Sequence, residues 1–134
     1  MGDEREIRDL VLGWAATIDA AGPLEQVLAD HTDDIVMFDV PPPHDGARGL
    51  AAYADTWPPF LEYQRSGAVF EVVELDVTAG DDVAWAWALL RCGLPDELER
   101  HPDRRLRLTL GLRRQGARWQ VAHEHHSFAD VSGP

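Results

Sequence analysis

Residues 106–128 read LRLTLGLRRQGARWQVAHEHHSF, and this stretch decides the fold. Leucine occupies every second position from Leu106 to Leu112, which is typical of a strand that is buried on one face. Gln115-Gly116 predicts a hairpin turn, and a second strand is predicted from Trp119 to about Phe128. The chain is therefore expected to end in an antiparallel β-hairpin.

Two further strands are predicted upstream of this hairpin. Apolar and polar residues alternate from Val69 to Val77, and Gly80-Asp81-Asp82 predicts the turn that follows. In the next strand alanines occupy one face, and the other face carries Val83, Trp85, Trp87 and Leu89. The residues from Pro95 to Asp103 are predicted to form a charged loop.

The N-terminal half has the spacing of amphipathic helices. A first helix carries one apolar stripe, formed by Ile7, Leu10, Val11, Trp14 and Ile18. Gly22-Pro23 ends it before a short second helix, and a short strand from Ile35 to Val40 stops at three prolines. A third helix is predicted from Gly49 to about Gln64, broken or kinked at Pro58-Pro59.

The order of elements indicates an α+β fold. Helices lead and four consecutive strands follow, which favours a mainly antiparallel sheet over a repeated βαβ unit. A strongly curved sheet with three helices on one side makes a cone with an apolar cavity. Residues 1–134 are predicted to form one domain, with frayed ends at about 1–5 and 129–134.

Composition excludes several functions. The chain has 24 acidic and 12 basic residues, a net charge of −12, which argues against binding to nucleic acid or to an anionic membrane. All the basic residues are arginine, so Schiff-base catalysis by lysine is excluded. Cys92 is the one cysteine, which excludes an intramolecular disulfide. The longest apolar run, Val83–Leu90, is too short to span a membrane, and a cytoplasmic protein without a signal peptide is expected.

Asp39 is the first candidate for chemistry. It ends an apolar strand just before the prolines, where apolar neighbours would strengthen a carboxylate as a base. The alternative is a structural aspartate that caps the following loop.

The second candidate is the tract HEHH at 123–126. On a strand, His123 and His125 share one face. They are interpreted as acid–base or polarising imidazoles in the pocket, as an H-x-H metal pair, or as structural histidines. A metal would need Asp39 or His44 as a further ligand, so no metal site is predicted.

Arg107 is the third candidate, and its position depends on the hairpin register. A two-residue turn would place Arg107 opposite Glu124, away from the histidines. A three-residue loop with a bulge at Gly116 would place Arg107 beside His123, and we favour this register.

Several other side chains are expected to line the cavity. They are Trp14, Phe38, Tyr53, Trp57, Trp85, Trp87 and the loop residue His44. His31 and His101 are predicted to lie on the surface. No nucleotide-binding glycine motif and no GxSxG nucleophile motif is present.

Four segments carry a family resemblance: IDAAG at 18–22, DDIVMFD at 33–39, GARG at 46–49 and LGLRRQGARWQVAHEHHS at 110–127. With them the chain resembles the SnoaL-like, ketosteroid-isomerase-like branch of the nuclear transport factor 2-like superfamily. The resemblance implies a cone-shaped α+β fold, commonly a homodimer, with a deep pocket. It also implies isomerase, cyclase, dehydratase or epoxide-opening activity, generally without a cofactor.

The resemblance transfers to the site only in part. Asp39 matches the general base of ketosteroid isomerases, and their helix-one tyrosine falls at Trp14. Their second acid has no counterpart, because no carboxylate lies between Arg104 and Ala122. Classical steroid isomerase activity is therefore not expected.

The leading interpretation is a small enzyme that binds a largely apolar molecule and needs no cofactor. Asp39 would remove a proton next to a carbonyl, and His123, His125 or Arg107 would stabilise the enolate. The alternative is a non-catalytic ligand-binding or dimerisation domain of the same fold.

Overall fold

The computed structural model describes residues 2–132, which form four helices and six strands. The helices are α1 (Gly2–Asp19), α2 (Leu24–Leu28), α3 (Leu50–Arg65) and α4 (Pro95–Arg100). The strands are β1 (His31–Phe38), β2 (Ala47–Arg48), β3 (Val69–Ala79), β4 (Val83–Gly93), β5 (Leu106–Gln115) and β6 (Arg118–Phe128). Fraying was predicted at both ends; Met1, Gly133 and Pro134 lie outside the described residues, and residues 2–5 are part of α1.

The six strands form one curved, unclosed sheet in the order β2-β1-β6-β5-β4-β3. β1 pairs with β6 in parallel, and every other neighbouring pair is antiparallel. The predicted α+β class and cone-like architecture are confirmed. Since β1 and β6 are parallel neighbours, residues 31–38 and 118–128, which are far apart in the sequence, lie side by side in the sheet.

On the inner face of the sheet, β4 carries small side chains and β5 carries large ones. Ala84, Ala86 and Ala88 are buried opposite the leucines of β5, and α1 packs against β3. The predicted stripe of α1 is buried at Ile7, Val11, Trp14 and Ile18. Burying such side chains contributes about 1.5–3 kcal/mol each.

Helix α4 replaces part of the predicted charged loop. Pro95 stands at its first turn, and Glu97 accepts a hydrogen bond from the Leu94 backbone N–H at 3.0 Å. Leu98 is buried under the helix. These features stabilise the start of a helix. The many charged residues of the segment had instead suggested a loop.

Helix α3 runs through Pro58 and Pro59, where a break or kink was predicted. The two prolines remove two helix hydrogen bonds, but they lie on the exposed face. Tyr53, Trp57 and Leu61 are buried on the opposite face, and their packing holds the helix together.

The β5–β6 hairpin adopts neither of the predicted registers. Gln115 pairs with Arg118 across the turn, and a bulge at Ala122 shifts the pairing, so that Leu112 faces Val121 and Gly111 faces His123. An extra residue in a strand reverses which side chains point to each face. Trp119 and Val121 point inward before the bulge, and Glu124 and His126 point inward after it.

Candidate functional site

Glu124 lies at the centre of a buried polar cluster. Its side chain is completely buried, and its Oε2 atom lies 2.8 Å from Nε2 of His31. The hydroxyl of Tyr53 donates to the same oxygen at 2.6 Å. The other carboxylate oxygen, Oε1, lies 2.9 Å from Nε2 of His126. Three donors from three elements, β1, α3 and β6, therefore converge on one carboxylate.

The hydrogen bonds assign the charges in this cluster. Burial disfavours the charged form of Glu124, but the hydrogen bonds from His126 and His31 outweigh it and lower its pKa to about 2. In His31, Nδ1 lies 2.8 Å from the Ala29 carbonyl oxygen and Nε2 faces the carboxylate. Both ring nitrogens therefore donate, which makes His31 an imidazolium. Burial lowers the pKa of His31, but its hydrogen bond to Glu124 and the charge of that carboxylate raise it overall.

Tyr53 completes the cluster as a neutral phenol. Burial and the negative charge of Glu124 raise its pKa well above the ordinary value. The indole Nε1 atoms of Trp14 and Trp57 are buried and have no hydrogen-bond partner within residues 2–132. The ring of Trp57 lies 5.8 Å from that of Tyr53. Two buried indole N–H groups therefore lie beside the carboxylate cluster.

A cavity of about 340 Å³ opens beside the cluster. Its walls are mostly apolar and include Trp57, Phe60, Phe70, Leu106 and Phe128. The polar groups among its lining residues include Asp39, Thr56 and His126. A cavity of this size, with few polar groups, suits a small and largely apolar molecule.

His126 joins the cavity to the buried cluster. Its ring lines the cavity, and its Nε2 atom is held by Glu124. Its Nδ1 atom makes no hydrogen bond to any residue in the range 2–132, and it is not enclosed by protein. Nδ1 is therefore the ring nitrogen available to a molecule in the cavity.

Asp39 stands in the same cavity wall. It is half-buried, and its Oδ1 atom accepts a hydrogen bond from the Val40 backbone N–H at 2.8 Å. No arginine within residues 2–132 forms an ion pair with it. The second carboxylate oxygen of Asp39 is thus left for other partners. The structure brings together Asp39 and His126, of which the sequence indicated only Asp39.

Cys92, which also lines the cavity, is held as a thiol. Burial raises its pKa to about 11, so the nucleophilic thiolate is scarce at neutral pH.

The expectation that His123, His125 and Arg107 face the pocket is wrong. All three lie on the outer face of the sheet, because the bulge at Ala122 reverses the direction of the histidines. His123 Nδ1 lies 2.7 Å from the Val36 carbonyl oxygen, and His125 is exposed. Arg107 pairs with Ser127 instead of His123, and its guanidinium donates to Ser127 Oγ at 3.1 Å.

Trp57 is the one expected aromatic that lines the cavity. Trp14 and Tyr53 are buried behind the wall, in contact with the cluster. Four predicted lining residues lie outside it, namely Phe38, His44, Trp85 and Trp87. The tryptophans of β4 point outward because its alanines take the inner face, and Trp85 is 50% exposed.

Sequence reasoning missed His31, Glu124 and His126 as site residues. His31 was expected on the surface, but it is 5% exposed and paired with Glu124. Glu124 and His126 were placed on the strand face opposite to His123 and His125, the pair that was interpreted as facing the pocket. In the structure they pair with inward leucines of β5, Glu124 with Leu110 and His126 with Leu108, but this register depends on the bulge, which no sequence signal marks.

Within residues 2–132 no group of three or more histidines, cysteines, aspartates or glutamates has an arrangement that would hold a metal ion. The Nε2 atoms of His31 and His126 are both engaged by Glu124. In the same range, no helix is long and apolar enough to cross a membrane.

The profile of the SnoaL-like domain family matches residues 7–131. The chain belongs to this family. Among solved structures, the SnoaL-like chain is similar to an NTF2-like protein of unknown function from Pseudomonas putida KT2440. The two are 34% identical with a TM-score of 0.84, over 98% of this chain and 90% of the other.

Two more distant structures share the fold of this SnoaL-like chain. A ketosteroid isomerase-like protein from Erwinia carotovora atroseptica is 16% identical, with a TM-score of 0.69 over 96% of this chain and 97% of the other. A protein provisionally named a scytalone dehydratase, from Novosphingobium aromaticivorans, is also 16% identical, with a TM-score of 0.73 over 97% and 89%. No protein of curated function matches the sequence. These likenesses establish the fold of the SnoaL-like chain.

Proposed function

We propose that this SnoaL-like chain is an isomerase- or cyclase-type enzyme that moves a proton at a carbon next to a carbonyl. The observation that carries the proposal is the pair of groups in one apolar cavity: Asp39, and His126 held from behind by the buried Glu124. Proton transfer at carbon requires a base and an acid that can both reach the bound molecule, and this cavity has one candidate for each.

Each residue has a definite part in the proposed reaction. The Asp39 carboxylate removes the α-proton of the bound carbonyl compound, and the electron pair of that C–H bond forms the enolate. Protonated His126 donates from Nδ1 to the carbonyl oxygen, where negative charge develops. The proton on Asp39 then returns to the same carbon or to a conjugated one, which completes an isomerisation. His31 and Tyr53 do not touch the substrate and act as positioning residues through Glu124.

Hydrogen–deuterium exchange tests this proposal without knowledge of the natural substrate. Small apolar ketones that bind the cavity are incubated with the protein in D₂O, and loss of the α-proton signal is followed by NMR. Placed bases contribute about 10²–10⁴-fold to such transfers. We expect Asp39→Asn to slow exchange at least tenfold, whereas Asp45→Asn, in the exposed loop nearby, leaves it unchanged. A smaller effect of Asp39→Asn means that another group is the base.

A second candidate function, ligand binding without catalysis, is favoured by the hydrogen bonds within the Glu124 cluster. Both oxygens of Glu124 are bound by donors of the protein itself, as in a purely structural polar core. On this alternative the cavity binds a small ligand without changing it. Ketones would then bind with no exchange above the buffer rate, and Asp39→Asn would alter affinity alone.

A further inference from the structure

We propose that a basic groove at the Leu106–Phe128 end of the β5–β6 pair binds the anionic group, a carboxylate or a phosphate, of a small amphipathic molecule. The groove has a volume of about 670 Å³ and lies between the α4–β5 connection and the end of β6. It is separate from the cavity of the proposed reaction, and the inference goes beyond that reaction.

The charge of the groove is opposite to that of the chain. Its lining contains Arg100, Arg104, Arg105 and Arg107 but a single acid, Asp103. Arg104, Arg105 and Arg107 have no carboxylate within ion-pair distance among residues 2–132. In a chain with a net charge of −12, these three guanidinium groups form a local positive patch that would attract a small anion.

Neutral partners hold these guanidinium groups in place. Arg107 donates from Nε to Ser127 Oγ at 3.1 Å and from Nη2 to the Phe128 carbonyl at 3.2 Å. Arg105 donates from Nη1 to the Pro102 carbonyl at 3.0 Å and to the Arg104 carbonyl at 2.9 Å. Such contacts orient the planar groups without neutralising them, so an incoming anion meets prearranged donors.

The floor of the groove is apolar, which specifies the remainder of the ligand. Phe128 and Leu89 contribute to the lining, and Val131 at its edge is 90% exposed. The Arg104 guanidinium lies 4.3 Å from the centre of the Phe128 ring. Phe128 also lines the cavity, so groove and cavity share one wall. An alkyl chain or ring attached to the anion would cover this apolar surface.

The overall charge selects a small anion over a polymer. A nucleic acid or a strongly acidic surface would extend beyond the groove and meet the negative charge of the remaining chain. A single carboxylate or phosphate on an apolar body fits within the basic patch. Arginine forks bind both groups in a bidentate manner.

Isothermal titration of the full chain tests the proposal, with decanoate and decyl phosphate below their micelle concentrations and decanol below its solubility limit. We expect the two anions to bind at least tenfold more tightly than decanol, and added NaCl to weaken them. The double variant R104Q/R105Q should lose at least tenfold in affinity for the anions. The control R91Q removes an exposed arginine paired with Glu71 on the same sheet and should keep full affinity. The ratio between decanoate and decyl phosphate shows which anion the groove prefers.

Three results would overturn the proposal. One is unchanged anion affinity in R104Q/R105Q, and another is an equal loss in R91Q, which would indicate general electrostatics. The third is a change in molar mass by light scattering in R104Q/R105Q, which would make the groove an interface between copies. Circular dichroism and thermal unfolding verify that each variant is folded. Where R104Q/R105Q fails this check, R107Q takes its place, with the same tenfold loss expected.

Discussion

Nε2 of His31 lies 2.8 Å from Oε2 of Glu124, although the two residues are 93 positions apart in the chain. Both side chains are almost fully buried, and the parallel pairing of β1 with β6 brings them together. This buried ion pair holds the cavity histidine, His126, through the second oxygen of the same carboxylate. Stability and the proposed chemistry therefore depend on the same group.

Removal of Glu124 should strongly destabilise the fold. In Glu124→Ala the His31 imidazolium is left buried without a counter-charge, and breaking a buried pair in this way costs about 3–5 kcal/mol. The free energy of unfolding, measured with urea, gives the value. Glu62→Ala is the matched control, because its ion pair with Arg65 is exposed and should contribute less than about 1 kcal/mol. Equal losses in the two variants would contradict a buried charged pair.

The same pair predicts how stability depends on pH. The pKa of Glu124 is lowered from 4.5 to about 2, so its contribution is present above pH 4.5 and is lost as the pH falls toward 2. The pKa of His31 is raised from 6.5, so its contribution is present below pH 6.5 and is lost as the pH rises through the raised value. The pair therefore stabilises most between pH 4.5 and 6.5. In His31→Gln, the decline above pH 6.5 in urea unfolding should become shallower than in the unmodified chain, and an identical profile would refute the assignment.

Tyr53→Phe removes the hydroxyl that donates to Glu124 and that also lies 3.0 Å from Nε2 of His31. The lost hydrogen bond to a charged group should lower the free energy of unfolding by about 1.5–3 kcal/mol. Tyr63→Phe is the control, because its hydroxyl donates to Glu97, a carboxylate outside the cluster. Absorbance at alkaline pH gives a second reading. Burial and the hydrogen bond to Glu97 raise the pKa of Tyr63 to about 12, and the pKa of Tyr53 is raised well above its ordinary value, so Tyr53 should ionise only as the protein unfolds.

His126→Gln tests the acid of the proposed reaction. Glutamine can still donate to Glu124 but cannot deliver a proton, and loss of one such donor typically costs about 10²–10³-fold in rate. The ketone exchange rate in D₂O measures the effect. His44→Gln, in the exposed loop, should exchange at the unmodified rate. Exchange that is unaffected by His126→Gln would remove this residue from the mechanism.

Local patterns predicted the elements of this fold well, because their causes are local. The stripe on α1 and the leucines of β5 follow from periodicity, and both are buried as expected. Helix α4 was missed because a helix of six residues has a weak signal in the sequence. The continuity of α3 through its prolines was missed because it depends on packing against distant residues.

The site was harder to predict, because one extra residue in β6, Ala122, determines which side chains of that strand face the interior. Alternation predicts facing only while the register holds, and the bulge at Ala122 has no marker in the sequence. The position of His31 depends on a strand partner 93 residues away, which no local pattern reports. The homodimer and the small-molecule partner implied by the family stay predictions, and light scattering of the purified chain tests the first.

The bulge at Ala122 has a consequence for how this site could change. In the tract HEHH, His123 and His125 lie on one face of the strand and Glu124 and His126 lie on the other. The bulge turns Glu124 and His126 toward the interior. Deletion of Ala122 would remove the bulge and still leave Glu124 and His126 inward, because Val121 and His123 would then be neighbours on opposite faces. A regular strand of unchanged length would instead turn His123 and His125 inward and place the Glu124 carboxylate outside. The bulge, and not the composition of β6, therefore selects which set of ionisable groups faces the interior.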